Sequence, residues 1–116
     1  MTRTTYTRGR EVVYMAREML ISNGYHVIRC AASKSPVDLV AWREHEYPVF
    51  LQVKRSRVHL SDPRTVVQTY RDDIDAFRTI TCPHMASRYL WVWEGRRGWR
   101  FFHVLQGGIC EVSDAV

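Results

Sequence analysis

The segment from residues 47 to 55, YPVFLQVKR, limits what the chain can fold into more than any other. It is rich in β-branched and aromatic residues, which predicts a strand. Successive side chains of a strand point to opposite faces, so Leu51 and Val53 share one face while Gln52 and Lys54 share the other. We therefore expect a buried strand whose second face carries a polar pocket at one end.

A second apolar segment, VDLVAWR at residues 37–43, is joined to this strand by a short polar turn at residues 44–46. If the two form a hairpin, Asp38 lies across from Gln52 or Lys54. A slip of one residue in register would instead place Asp38 among apolar side chains. The consistent register therefore brings together a carboxylate, an amide and an ammonium group.

This set of groups suits the hydrolysis of a phosphodiester. A divalent cation such as Mg²⁺ takes oxygen ligands, which the Asp38 carboxylate and the Gln52 amide supply, with the Val53 carbonyl as a third. The Lys54 ammonium is not a ligand, but it can hold an attacking water and offset negative charge that develops on a phosphate. The pattern predicts a metal-dependent site.

The other predicted elements surround this hairpin. Apolar periodicity and end signals predict a helix over residues 7–23, a strand over 25–32, a helix from Ser61 to Pro83, a hairpin of strands 88–94 and 98–105, and a short edge strand over 109–112. The order is helix, three strands, helix, then two or three strands. A chain of 116 residues accommodates one domain, so we expect a single α/β domain over residues 1–116.

The charge distribution favours a polyanionic partner. The net charge of +5 comes entirely from residues 1–64, which hold 11 Arg or Lys against 6 Asp or Glu. No apolar segment approaches the roughly 18 residues of a membrane span, and the polar, basic start is not a secretory signal, so we expect a cytoplasmic protein. The three cysteines lack the paired spacing of zinc sites and suit reduced thiols.

Two motifs resemble a known superfamily. Ser35-Pro36-Val37-Asp38, followed after 13 residues by Gln52-Val53-Lys54, is similar to the PD-(D/E)xK nucleases, most of all to archaeal and phage-type Holliday junction resolvases. Gly9-Arg10-Glu11 resembles the first helix of those resolvases, and Arg29 to Ala41 resembles their following strand segment. The likeness covers about residues 8–56.

The resemblance implies a restriction-endonuclease-like fold, with a central mixed β-sheet flanked by helices, and an endodeoxyribonuclease that uses Mg²⁺, for which Mn²⁺ can substitute. It assigns roles to five residues: Asp38 is the principal metal ligand, Glu11 a second acidic group at the metal, Gln52 a ligand, Lys54 the catalytic lysine, and Ser33 or Ser35 the serine near the scissile phosphate. One departure is notable, because the usual glutamate of the second half-motif is Gln52. The site therefore has one negative charge fewer, and its metal affinity should be lower.

The resemblance also implies a homodimer that cuts a four-way DNA junction in recombination or repair. Side chains close to the motifs in sequence are candidates for DNA contacts: Arg8, Arg10, Ser33, Lys34, Arg55 and Arg57. Phosphate contacts from such groups position a duplex without reading its bases.

Several alternatives remain open from the sequence. Asp38 alone could cap a turn, Glu11 could serve only the helix dipole, and Gln52 with Lys54 could form a solvated strand face. The substrate could be flapped, nicked or linear DNA in repair, restriction or phage genome processing. The chain could also be a DNA-binding module on a nuclease fold that has lost catalysis through Gln52.

Overall fold

The computed structural model describes residues 5–31, 35–83 and 85–115. Three helices and six strands follow in the order α1 (Thr5–Ser22), β1 (His26–Arg29), β2 (Leu39–Trp42), β3 (Val49–Arg55), α2 (Pro63–Thr69), α3 (Arg71–Thr79), β4 (Ser87–Trp93), β5 (Trp99–Leu105) and β6 (Gly108–Val112), with a 3₁₀ turn at Gly95–Arg97 between β4 and β5. No helix in these ranges has the length and apolar character needed to cross a bilayer.

All six strands form one sheet in their chain order, β1 to β6. Every neighbouring pair is antiparallel except β3 and β4, which are parallel. A parallel pair requires a crossover connection, and here α2 and α3 provide it. The predicted mixed sheet flanked by helices is therefore confirmed.

Each face of the sheet carries its own apolar core. Helix α1 packs on one face, where Val12 and Leu20 join Leu51 and Val53 in one cluster. Helices α2 and α3 pack on the opposite face in a second cluster that includes Phe77. The alternation read from residues 47–55 thus holds, since Leu51 and Val53 face α1.

The predicted end of α1 and the predicted start of the second helix are also confirmed. Helix α1 stops at Asn23-Gly24, where Gly24 adopts a φ of +87° that residues with a Cβ rarely accept. Helix α2 starts behind Asp62, whose carboxylate accepts a hydrogen bond of 2.8 Å from the Thr65 N–H, and Pro63 occupies the first turn.

The prediction of a single helix after Ser61 is wrong in one respect. The segment is divided at Tyr70 into two helices, α2 and α3. This residue has φ −114° and ψ 28°, which is outside the helical region, and α3 begins directly after it. Its hydroxyl donates to the Arg55 carbonyl oxygen at 3.4 Å. The apolar spacing continues across the break, with Val66 on one side and Ile74 on the other, so the sequence shows no interruption.

Candidate active site

A cleft of about 540 Å³ opens at the end of the sheet where β1 and β3 finish and β2 starts. Its walls come from the first turns of α1, the chain after β1, the loop before β2, the end of β3 and the start of α3. The residues that line it are Arg8, Gly9, Arg10, Val13, Arg29, Cys30, Ala31, Ser35, Pro36, Asp38, Gln52, Val53, Lys54, Arg55, Arg57, Asp73 and Ala76.

Asp38 is fixed in this cleft by the register of the β2–β3 hairpin. Leu39 pairs with Leu51, and just before it the Asp38 N–H donates to the Leu51 carbonyl at 2.8 Å. The Val53 N–H donates to Asp38 Oδ2 at 2.7 Å. Burial raises the pKa of Asp38, and the Val53 hydrogen bond and the positive charge of Lys54 offset this only in part.

Ser35 shapes the loop that delivers Asp38. Its hydroxyl lies 3.1 Å from the Val37 nitrogen, from which it accepts, and 3.0 Å from the Val37 carbonyl oxygen, to which it can donate. This local turn leads the chain into β2. Ser35 therefore lines the cleft, with its hydroxyl hydrogen-bonded to the backbone of Val37.

Gln52 is the most buried polar side chain of the cleft, at 2% exposure. Its Nε2 donates to the Asp73 carbonyl oxygen at 3.3 Å. Its Oε1 has no hydrogen-bond partner within the described parts of the chain. Buried amide oxygens normally have a partner, and a water or a cation would be one for this oxygen.

Lys54 extends along the same face and pairs with Asp73, with 3.1 Å between Nζ and Oδ2. Its Nζ also lies 6.0 Å from the centre of the Tyr70 ring. Asp73 belongs to the first turn of α3, and sequence reasoning missed it. The available signal, two acidic residues opening a helix, also has an ordinary explanation in the helix dipole.

The available donors fit a hard cation. The Asp38 carboxylate, the Gln52 Oε1 and the Asp73 carboxylate are all oxygen ligands of the kind that Mg²⁺ takes. Within residues 5–31, 35–83 and 85–115, no group of three His, Cys, Asp or Glu side chains converges. The cleft therefore offers two carboxylates, of Asp38 and Asp73, and the amide oxygen of Gln52.

Glu11 is not among the residues that line this cleft. It lines a second, apolar cavity together with Tyr14, Met15, Glu18, Met19, Trp93 and Trp99. Glu11 is two residues before Val13, which lines the cleft, and a rotation of about 100° per residue puts the two on nearly opposite sides of α1. The role of Glu11 as a second acidic group at the metal therefore stays a prediction.

Positive side chains surround the cleft. Arg8, Arg10, Arg55 and Arg57 line it as expected, and Arg29 joins them. Ser33 and Lys34, the other predicted DNA contacts, lie outside the described residues.

Two of these arginines share one aromatic partner. The guanidinium carbons of Arg10 and Arg29 each lie 5.6 Å from the centre of the Tyr14 ring. Arg10 also donates to the Tyr14 hydroxyl at 3.3 Å, and this hydrogen bond, with the nearby positive charge, lowers the pKa of Tyr14. The ring thus holds two cations at one edge of the cleft.

Comparison with known proteins supports the fold. The arrangement of sheet and helices is that of the restriction-endonuclease-like fold. The Holliday junction resolvase Hjc of Archaeoglobus fulgidus superposes with a TM-score of 0.54 and 20% sequence identity, over 92% of this chain and 84% of that one. No family model matches the sequence, and no curated protein matches it. The resemblance seen in the motifs is therefore confirmed at the level of the fold.

Proposed function

We propose that the protein is a metal-dependent DNA endonuclease of the resolvase type. The observation that carries the proposal is the convergence of Asp38, Gln52 and Lys54 in a cleft lined by arginines, where Gln52 Oε1 has no hydrogen-bond partner among the described residues. The fold, shared with a Holliday junction resolvase, supports the same conclusion.

The chemistry is the hydrolysis of a phosphodiester. Asp38 and Gln52, with the Val53 carbonyl as a further oxygen, would hold a Mg²⁺ ion, which when bound polarises the phosphate and lowers the pKa of water. Lys54 orients the attacking water and offsets charge on the phosphate oxygens. A new P–O bond forms to water, the P–O3′ bond breaks, and the proton lost by the water balances the one gained by the 3′-oxygen, leaving a 5′-phosphate and a 3′-hydroxyl.

The arginines bind the DNA backbone. Arg8, Arg10, Arg55 and Arg57 carry charge that replaces condensed counterions, so affinity should fall as salt rises. Such contacts are indifferent to base sequence. Selection of substrate by shape, as a four-way junction requires, is consistent with this lining.

A homodimer follows from a substrate with twofold symmetry, because two strands must be cut in a symmetric way. Exposed apolar residues at the β1–β2 end of the sheet support this, since Ile28 is 56% and Trp42 36% exposed. Trp91 and Phe102, by contrast, are fully buried and belong to the core. A protein of this kind would act on DNA in the cytoplasm, in recombination or repair.

The test is cleavage of a panel of DNAs: a four-way junction, a flap, a nicked duplex and a linear duplex, in Mg²⁺, in Mn²⁺ and in EDTA. The proposal predicts cutting of the junction with either metal and none in EDTA. Asp38→Asn should abolish cutting while junction binding persists. If the protein prefers another DNA, the nuclease proposal stands and the resolvase proposal is wrong. If it sediments only as a monomer at micromolar concentration, the dimer proposal is wrong.

A second candidate is a DNA-binding module that does not cut. The observation that favours it is the lack of a third convergent acidic group within the described ranges, where a nuclease of this class with glutamate at position 52 would have one more charge. Wild-type protein that binds the junction tightly but leaves it intact in both Mg²⁺ and Mn²⁺ would establish this candidate.

A further inference from the structure

We propose that Asp73, on α3, supplies the carboxylate that Gln52 does not, and that it is a direct ligand of the divalent cation. The inference rests on the proposed function, since it concerns the metal of the same cleft. In the motif the second carboxylate lies on a strand, whereas here we place it on a helix.

The first argument is position. Asp73 contacts two polar residues of β3: its carbonyl oxygen accepts from Gln52 Nε2 at 3.3 Å, and its Oδ2 lies 3.1 Å from Lys54 Nζ. Its negative charge also acts on Asp38, whose pKa it helps to raise. Asp73 therefore lies within electrostatic range of every group in the proposed site.

The second argument is charge. Asp38 and Lys54 together are neutral, so without Asp73 a dication would enter a site with no net negative charge. Glu11 lines the other cavity and is not among the residues that line the cleft. Asp73 restores the second carboxylate, and its side chain, at 48% exposure, has room to turn from Lys54 toward a cation.

The third argument explains why residue 52 is a glutamine. Its buried amide donates to the Asp73 carbonyl oxygen, which a glutamate carboxylate could not do. A glutamate there would also bring a second negative charge close to the Asp73 carboxylate. Gln52 and Asp73 are thus a matched pair, with the neutral oxygen on the strand and the charge on the helix.

The experiment measures Mn²⁺ binding directly, by titration calorimetry and by the loss of the free-ion EPR signal, with no DNA present. Asp73→Asn keeps the size of the side chain and the backbone carbonyl used by Gln52, and should weaken Mn²⁺ binding about tenfold or more. Asp72→Asn is the matched control, because Asp72 is exposed in the same helical turn and loses the same charge. We expect its affinity within about twofold of wild type.

A double-mutant cycle distinguishes a direct ligand from a residue that acts only by positioning Lys54. In a Lys54→Ala background a ligand still contributes, so Asp73→Asn should again weaken Mn²⁺ binding to a similar degree. Loss of the effect in that background would overturn the assignment as a ligand. Thermal melting identifies any variant with a disturbed fold, in which case Asp73→Ser replaces Asp73→Asn.

The remaining outcomes distinguish the two proposals. If wild type binds Mn²⁺ and Asp73→Asn binds it as tightly, this inference is wrong while the nuclease proposal stands. If wild type does not bind Mn²⁺ at all, the metal-dependent function fails, and this inference fails with it.

Discussion

Two clusters of polar and charged side chains in this molecule differ in how fully their hydrogen bonds are satisfied. In the first, away from the cleft, the Glu94 side chain is only 1% exposed, yet both its oxygens are occupied: Oε1 lies 3.1 Å from His59 Nδ1, and Oε2 accepts from the Leu60 N–H at 3.0 Å and from Arg100 at 3.2 Å. Arg100 in turn pairs with Glu111 at 2.9 Å. In the second, the cleft, Gln52 Oε1 has no partner within the described residues.

The pKa values follow this difference. Burial acts to raise the pKa of Glu94, but the hydrogen bonds from Leu60, His59 and Arg100 outweigh it and lower the pKa. Burial also acts on Asp38, and there it prevails and raises the pKa. The Glu94 cluster links the chain after β3 to the β4–β5 hairpin. The cleft, by contrast, has oxygen atoms that a ligand could bind.

The largest expected effect that tests this comparison is on the rate of DNA cleavage. Lys54→Ala should lower kcat about 10²- to 10³-fold, because it removes the charge that stabilises the phosphate in the transition state. Single-turnover cleavage of a four-way junction at saturating protein measures it. Lys54→Arg should rescue poorly, since a guanidinium differs from an ammonium in shape and hydration. Activity within twofold of wild type for Lys54→Ala would remove this residue from the mechanism.

The next effect concerns stability. Glu94→Gln should cost about 3 kcal/mol of unfolding free energy at pH 7, because it breaks a buried ion pair and leaves donors unsatisfied. Urea unfolding measures it. Glu111→Gln is the control, since that side chain is 39% exposed, and should cost about 1 kcal/mol or less. If Glu94→Gln, corrected for the fraction of folded protein, lowered cleavage as much as Lys54→Ala does, the two clusters would not differ in function.

A smaller effect tests the lining of the cleft. Arg55→Ala or Arg57→Ala should weaken junction binding by about three- to tenfold and reduce the dependence of log Kd on log salt by about 1 for each phosphate that is no longer neutralised. Fluorescence anisotropy at several salt concentrations measures both quantities. Arg96→Ala, in the turn between β4 and β5, is the control and should change neither. Equal losses of affinity for all three variants would indicate a general charge effect.

The smallest effect is on the pH dependence of stability, and its sign should differ between the groups. The folded-state pKa of Asp38 is raised, so its ionisation in the folded protein costs stability above that pKa. Asp38→Asn should therefore raise Tm at pH 7, and the gain should vanish as pH falls below the unfolded-state pKa.

Glu94 gives the opposite sign because its pKa is lowered. Its contribution is present above the unfolded-state pKa and is lost as pH falls through the folded-state pKa. The Tm deficit of Glu94→Gln should thus shrink in acid. Calorimetric scans of both variants from pH 3 to pH 8 compare the trends, and parallel trends would contradict the assignment.

The sequence predicted the local half of this architecture well. The β2–β3 register, which sets Asp38 across from Gln52, follows from alternation within one hairpin, and the ends of α1 and the start of α2 follow from Gly24 and Asp62. These features depend on neighbours along the chain. The convergence of the three polar groups is observed, and their catalytic roles remain predictions.

The nonlocal half could not be predicted in the same way. Asp73 reaches Lys54 only because α3 packs across β3, and nothing in the local pattern of α3 specifies that contact. Glu11 is a second such case, because its place after Gly9 and Arg10 matches the motif while its side chain lines the apolar cavity, and its role at the metal stays a prediction. The break at Tyr70 is likewise invisible in the apolar spacing.

The parallel pairing of β3 with β4 has a consequence for the order in which the cleft can be assembled. Closing that pair requires the whole crossover through α2 and α3, a far longer loop than the turn of the β2–β3 hairpin. A folding intermediate with only the hairpin would carry Asp38, Gln52 and Lys54 but not Asp73. Closure of the crossover is therefore the step that completes the charge balance of the cleft.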